Sequence, residues 1–73
     1  MSIDACVAAV RRHVANADGT GDAIKKNLEL MFARVFLARL RYECAQHPAE
    51  HVRHAHPEAY GLLARGLRRD AAA

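Results

Sequence analysis

The sequence has only two cysteines, few β-branched residues and no long apolar run. Two cysteines are too few for the disulfide framework that stabilises many small secreted domains. The most apolar stretch, residues 28–40, contains one glutamate and two arginines, and it is shorter than the ~20 residues that a membrane-spanning helix requires. Sparse valine, isoleucine and threonine beside abundant alanine and arginine disfavour a sheet. These shortages favour a helical protein that does not span a membrane.

The first residues are not expected to act as a signal peptide, and the chain has no strong charge of one sign. Asp4 comes early, and Arg11 and Arg12 interrupt any apolar run, so the first residues do not resemble a secretory signal. We therefore expect a cytoplasmic location. The formal net charge of +3 is a mild excess. Such a charge fits an ordinary basic surface, an acidic partner or weak attraction to nucleic acid.

The length of 73 residues allows one domain with a small core. A chain of this length buries only about 60% of its unfolded surface. The hydrophobic gain is then similar to the conformational entropy that folding costs, so the core of a monomer stabilises it weakly. A multi-step enzyme with a deep pocket does not fit this size. We expect a single helical domain over residues 1–73 with no enzymatic activity, no cofactor and no small-molecule substrate.

Two amphipathic segments in the first two thirds of the chain predict a helical hairpin. Ser2 is a suitable N-cap for a first helix over residues 3–17, and Asp22 is one for a second helix from 23 to about 46. The intervening residues 18–21 contain two glycines, which break a helix. The two helices are therefore expected to pack antiparallel.

The C-terminal third predicts shorter helices. Pro48 and Pro57 each follow a histidine and precede an early glutamate, which is typical of a helix start. We expect a short turn of helix near 48–55 and a third helix from 57 to about 69. The predicted fold is all-α, an antiparallel helical hairpin with a shorter third helix at the C-terminal end.

The second predicted helix carries two apolar stripes at helical spacing. The first stripe consists of Ile24, Leu28, Met31, Val35, Ala38 and Tyr42. The second stripe consists of Leu30, Ala33, Leu37, Leu40 and Cys44, with Phe32 and Phe36 outside both. A helix that is apolar nearly all round must be covered nearly all round, and the helix before it can cover only one stripe. We expect that helix to cover the first stripe. The predicted hairpin core consists of Ile3, Val7, Val10, Val14, Ile24, Leu28, Met31 and Val35.

The second stripe, together with Phe32 and Phe36, leaves an apolar surface for another chain if the third helix covers it only partly; a third helix that folds back over all of it would leave none. Exposed apolar patches above roughly a few hundred Å² commonly mark interfaces, and a partner would add both the missing cover and the missing stability. We expect a non-enzymatic helical protein-interaction module that self-associates or acts on another protein as a chaperone or adaptor. The predicted partner-binding residues are Leu30, Phe32, Phe36, Leu37 and Leu40.

A cluster of metal-ligating residue types follows the second helix and indicates an alternative function. Cys44, His47, His51 and His54 are spaced three, four and three residues apart. On an unbroken helix this spacing would place one thiol and three imidazoles on one face, a ligand set that suits zinc, nickel or copper. Pro48 disfavours helical geometry at the residue before it, which would interrupt the set. Binding of a divalent metal and sensing of pH by the imidazoles therefore both stay open.

A basic patch offers a second alternative, a regulatory protein that binds nucleic acid. The arginines that could form it are Arg53, Arg65, Arg68 and Arg69. However, no helix-turn-helix spacing is present, and the second helix is too apolar to lie in a groove. The aromatic residues lie among aliphatic ones on that helix, which is typical of packing and not of base stacking.

The two cysteines are expected to be buried thiols without a disulfide. In the predicted hairpin, Cys6 lies opposite about residue 34, and Cys44 lies about 15 Å further along the helix. That separation exceeds the ~7 Å between Cα atoms that a disulfide permits. No residue pattern supplies an orienting group or an oxyanion hole for a thiolate nucleophile.

Three local segments resemble the small cytosolic co-chaperones that bind needle subunits of type III secretion systems. They are ADGT at 17–20, AIKKNL at 23–28 and PEAY at 57–60. The resemblance extends to the length and the helical hairpin and covers about half of the chain. It implies a heterodimer with a larger helical-repeat chaperone, in which the two proteins together keep a bacterial needle subunit unpolymerised. The docking surface that it implies is Leu30, Phe32, Phe36, Leu37 and Leu40 on the second helix.

Overall fold

The structure, a computed structural model, describes residues 1–67, which form four helices. The helices are α1 (Ile3–Asp18), α2 (Ala23–Cys44), α3 (Ala49–Ala55) and α4 (Pro57–Arg65). Residues 1–67 contain no β-strand, which confirms the predicted all-α class. α1 and α2 pack against each other as an antiparallel hairpin, joined by a short turn.

Each helix of the hairpin begins just after a residue whose side chain caps it. Ser2 Oγ accepts a hydrogen bond from the backbone N–H of Ala5 at 3.0 Å, which satisfies one of the unpaired donors in the first turn of α1. Asp22 Oδ1 accepts from the backbone N–H groups of Ile24 at 2.9 Å and Lys25 at 3.4 Å. Both predicted helix starts are therefore confirmed. The ends of α1 and α2 differ from the prediction by at most two residues.

The C-terminal third contains two short helices. α3 corresponds to the predicted turn of helix near 48–55, and α4 begins at Pro57 as predicted. α4 ends at Arg65 and not near 69, because Gly66 has φ 63° and ψ −152°, which no α-helix accommodates. Positions 68 and 69 of the predicted third helix lie outside the described residues.

The hydrophobic core lies between α1 and α2 and continues under α3 and α4. The α1 half of the predicted core is confirmed: Ile3, Val7 and Val10 are buried, and Val14 is half-buried against them. The buried residues of this core are Ile3, Cys6, Val7, Val10, Leu37, Leu40, Cys44, Val52 and Ala59.

The α2 half of the predicted core is wrong, because α2 turns its second stripe toward α1. Ala33 and Leu40 are fully buried, and Leu37 is 5% exposed. The four first-stripe residues that were expected in the core are exposed instead. They are Ile24 (80%), Leu28 (47%), Met31 (56%) and Val35 (59%).

Side-chain size and the position of the short helices explain this choice of face. The second stripe includes the small side chains of Ala33 and Cys44, which allow a neighbouring helix to approach closely. Val52 of α3 and Ala59 of α4 belong to the same core as Cys44, so the short helices cover the second stripe as well. Helical spacing alone cannot reveal this, because both stripes have it.

The expected register of the hairpin also differs from the observed one. Burial raises the pKa of the Cys6 thiol, and the nearby Glu43 carboxylate raises it further. Burial also raises the pKa of Cys44, with a contribution from Cys6. The Met1 amino group lies 3.7 Å from Glu43 Oε2, and Cys6 belongs to the same buried cluster as Cys44, so Cys6 lies near the C-terminal end of α2 and not opposite residue 34. Both cysteines are free and buried.

Candidate protein-docking face

The first stripe of α2 and Phe32 form an exposed apolar surface, which we call the outer face. It consists of Ile24, Leu28, Met31, Phe32, Val35, Ala38 and Tyr42. Among residues 1–67, six of the eight exposed large hydrophobic residues belong to it. Single exposed apolar residues are ordinary, but a continuous row of them marks a binding surface or a site of aggregation.

The spacing along the outer face is that of a coiled-coil seam. Successive residues of the first stripe are four, three, four, three and four positions apart. This is the alternation of the a and d positions of a heptad repeat, at which one helix packs its side chains between those of another. From Ile24 to Tyr42 the seam is about 27 Å long at 1.5 Å per residue. The buried second stripe has the same alternation, so the spacing alone does not tell the outer face from the covered one.

Basic side chains flank the seam on both edges. Lys25 and Arg39 lie on one edge, and Arg34 and Arg41 lie on the other. All four are exposed. Arg39 also lies 5.3 Å from the ring centroid of Tyr42, so it partly covers the apolar end of the face.

The two glutamates of α2 lie away from the outer face, in contacts with α1 and the N-terminus. Glu29 Oε2 is 2.7 Å from His13 Nδ1 and accepts a 3.4 Å hydrogen bond from Asn16. Glu43 Oε2 is 3.7 Å from the Met1 amino group and 2.8 Å from Arg39 Nε. The seam is therefore bordered by positive charge that the carboxylates of α2 offset only at Arg39.

The five predicted partner-binding residues differ in how exposed they are in the structure. The prediction is wrong for Leu37 and Leu40, which are 5% and 0% exposed, because α1 covers the stripe to which they belong. Leu30 and Phe36 are half-buried at the edge of the core. Phe32 is exposed and borders the outer face.

His13 of α1 marks the boundary between the covered and the outer side of α2. Its ring is stacked on Phe36, with centroids 5.5 Å apart and planes at 11°, and it lies 5.3 Å from the Phe32 ring. The hydrogen bond from His13 is the largest cause that lowers the pKa of Glu29. These contacts fix Phe36 against α1 and leave Phe32 beside the seam.

The four residues of the predicted metal site do not form one. α2 ends at Cys44, and Pro48 separates it from α3, so the single helix face that the spacing requires does not exist. His47 and His51 have ring centroids 5.1 Å apart, but Cys44 is buried with a raised pKa. Within residues 1–67, no group of three or more histidine, cysteine, aspartate or glutamate side chains could hold a metal ion.

The remaining histidine contacts tie α3 to α1. His56, just before α4, lies 6.0 Å from His51 between ring centroids, and its Nδ1 is 3.2 Å from Asp4 Oδ1. His54, the last residue of the predicted metal set, is exposed on α3.

The predicted nucleic-acid patch is described only in part. Arg53 lies 3.7 Å from Glu50 within α3, and Arg65 Nε donates a 3.2 Å hydrogen bond to the Gly61 carbonyl in α4. Arg68 and Arg69 lie outside the described residues. Binding of nucleic acid through this patch therefore stays a prediction.

An open hollow of about 480 Å³ between α2, α3 and α4 contains the other chemically notable side chains. Cys44, His47 and Tyr60 are among the residues that line it. Because burial raises the pKa of Cys44, the neutral thiol is favoured there over the nucleophilic thiolate. The Cys44 thiol is therefore not activated as a nucleophile in this hollow.

Comparisons with known proteins add no assignment. No family model matches the chain, and no curated protein or solved structure matches it either. The helices within residues 1–67 include none that is long and apolar enough to span a membrane. The resemblance to secretion co-chaperones therefore rests on the sequence segments alone.

Proposed function

We propose that this protein is a non-enzymatic helical protein-interaction module that binds a helix of another chain along the outer face of α2. The observation that carries the proposal is a heptad seam of large apolar side chains that the folded chain leaves exposed. Ile24 and Tyr42 mark its two ends, and Val35 lies near its middle.

The free energy that burial of the seam would provide supports a helix-binding function. Full burial of a large apolar side chain provides roughly 1.5–3 kcal/mol, and the large side chains of the seam, which are 47–80% exposed, forgo the corresponding part of it. A helix packed into the seam would bury several of these side chains together and would stabilise a domain whose own core is small. The heptad spacing of the seam also suits a helix better than a loop or a sheet edge.

A chaperone- or adaptor-like role is one form of this function. The resemblance to secretion co-chaperones supports a partner that is itself helical. The docking surface proposed here differs from the one that the resemblance implied, because Leu37 and Leu40 are in the core. The outer face would take their place.

Site-specific photo-cross-linking in the producing cells tests the proposal. A benzophenone side chain at position 35 samples the outer face, and one at position 15, an exposed alanine on α1, serves as the matched control. We expect discrete protein adducts from position 35 and few from position 15. No adduct at position 35, or the same adducts from both positions, would contradict the proposal.

A further inference from the structure

We infer that the partner of the outer face is an acidic amphipathic helix, with apolar residues at heptad spacing and aspartate or glutamate beside them. The inference rests on the proposed function and names the chemistry of its partner. Three features support it: the charge of the flanking positions, the placement of the glutamates of α2, and the repulsion that a second copy would meet.

The residues that border a heptad seam determine which charges a partner meets. In a coiled coil the positions just outside the a and d residues reach across to the other helix. Here one edge carries Lys25, Phe32 and Arg39, and the other carries Asn27, Arg34 and Arg41. Four of these six positions are basic and none is acidic. A partner with carboxylates at its own flanking positions would complement them.

The basic edge formed by Arg34 and Arg41 continues onto α4. Both arginines and Arg65 line an open hollow of about 490 Å³ between α2 and α4, and none of the lining residues within the described range 1–67 is acidic. Within residues 1–67, neither Arg34 nor Arg41 forms an ion pair. Their guanidinium groups are exposed and available to carboxylates, with which arginine forms paired hydrogen bonds.

A second copy of the chain fits the same face poorly. In a parallel pair of α2 helices, Arg34 would lie opposite the partner's Arg39. In an antiparallel pair centred near residue 33, Arg34 would lie opposite the partner's Arg34, and Lys25 opposite the partner's Arg39. Like charges face each other in both arrangements, which disfavours self-association and leaves the acidic helix as the occupant.

Three designed peptides of about 28 residues, long enough for four heptads, test the inference. The acidic peptide has leucine at the a and d positions and glutamate at the flanking positions. The basic peptide has lysine in place of glutamate, and the scrambled peptide has the composition of the acidic one without its heptad order. Fluorescence anisotropy of each labelled peptide, titrated with the full chain at ~50 mM salt, measures binding under weak screening.

We expect the acidic peptide to bind about tenfold or more tightly than the basic one, because several flanking charges act together. The scrambled peptide should bind much more weakly than the acidic one. The preference should shrink at ~0.5 M salt, where exposed charges are screened. Equal binding of the acidic and basic peptides, or of the acidic and scrambled peptides, would overturn the inference, and so would no binding at all.

A pair of double variants locates the effect. Arg34→Glu/Arg41→Glu leaves two basic and two acidic flanking positions, so it should abolish the preference for the acidic peptide. Arg12→Glu/Lys26→Glu has the same change in net charge at exposed positions outside the outer face, and it should retain the preference for the acidic peptide. An equal effect of both double variants would show that net charge alone attracts the peptide, which overturns the inference.

The inference can fail while the proposed function holds. One such outcome is a dimer in sedimentation that Val35→Glu dissociates. That result would keep the outer face as a docking surface and overturn the acidic partner. The cross-links from position 35 decide the proposed function separately, because they do not depend on the charge of the partner.

Discussion

At the scale of single residues, His13 connects the two helices of the hairpin at the edge of the core. Its ring stacks on Phe36, and its Nδ1 lies 2.7 Å from Glu29 Oε2. A half-buried imidazole in this position orients α2 about its own axis, because the stacking and the hydrogen bond both require the same rotation. This rotation keeps Val35, the neighbour of Phe36, on the outer face.

The contact between His13 and Glu29 makes stability depend on pH in the acidic range. The hydrogen bond lowers the pKa of Glu29 below its ordinary value of 4.5. A carboxylate with a lowered pKa in the folded state stabilises the fold above its ordinary pKa, and this contribution is lost as the pH falls through the folded-state pKa. We expect Glu29→Gln to reduce the free energy of unfolding at about pH 5 and to have a smaller effect at about pH 3.

Urea unfolding followed by circular dichroism measures the Glu29→Gln effect at each pH. The quantity to compare at the two pH values is the difference in the free energy of unfolding between the wild-type chain and the variant. The same difference at both pH values would contradict a folded-state pKa below the ordinary value.

The two buried thiols provide a second test at the residue scale. Burial raises the pKa of Cys6 and of Cys44, so at neutral pH the reactive thiolate is scarce and the sulfur atoms are covered. We expect iodoacetamide to modify both cysteines far more slowly in the folded chain than in a short peptide, and at the peptide's rate in concentrated urea. Peptide-like modification of Cys44 in the folded chain would contradict its burial.

At the scale of helices, the sequence was a good guide to where each element begins. Ser2, Asp22 and Pro57 were recognised as start signals because their effect is local: a side chain or a proline ring acts on the next turn of backbone. The same reasoning missed the end of α4 at Arg65, since the conformation of Gly66 depends on its surroundings as well as on its identity.

The side of α2 that faces α1 could not be predicted from the sequence. Two stripes with helical spacing compete for one covering helix, and the outcome depends on how closely α1, α3 and α4 can approach. Small side chains such as Ala33 favour the second stripe, but their advantage becomes visible only when the neighbouring helices are in place. The candidate site was therefore expected on α2 but largely on its wrong face.

The cap at the start of α2 gives a prediction at the helix scale. Asp22 Oδ1 accepts two backbone hydrogen bonds, so Asp22→Ala should lower the free energy of unfolding by about 0.5–2 kcal/mol. Asp22→Asn preserves a capping acceptor and should cost much less. Chemical denaturation of both variants measures the effect, and equal losses would show that the side-chain oxygen does not cap the helix.

At the scale of the whole molecule, the four helices within the described residues 1–67 leave one side of α2 without cover. α3 and α4 have seven and nine residues, and both contribute to the core that the second stripe forms. Their placement explains why a chain with 52% hydrophobic residues has large apolar side chains at its surface. The apolar seam on that surface is flanked by basic residues, which favour a negatively charged partner.

The unfolding free energies of Val35→Glu and Leu37→Glu, compared at low protein concentration, test the orientation of α2 most directly. The two positions are two residues apart on opposite sides of the helix, with side chains 59% and 5% exposed. We expect Val35→Glu to change stability by less than about 0.5 kcal/mol, and Leu37→Glu to lower it by about 3 kcal/mol or more, because it places a carboxylate in the core. A large loss for Val35→Glu with little change for Leu37→Glu would show that α2 faces the other way and would contradict the docking face.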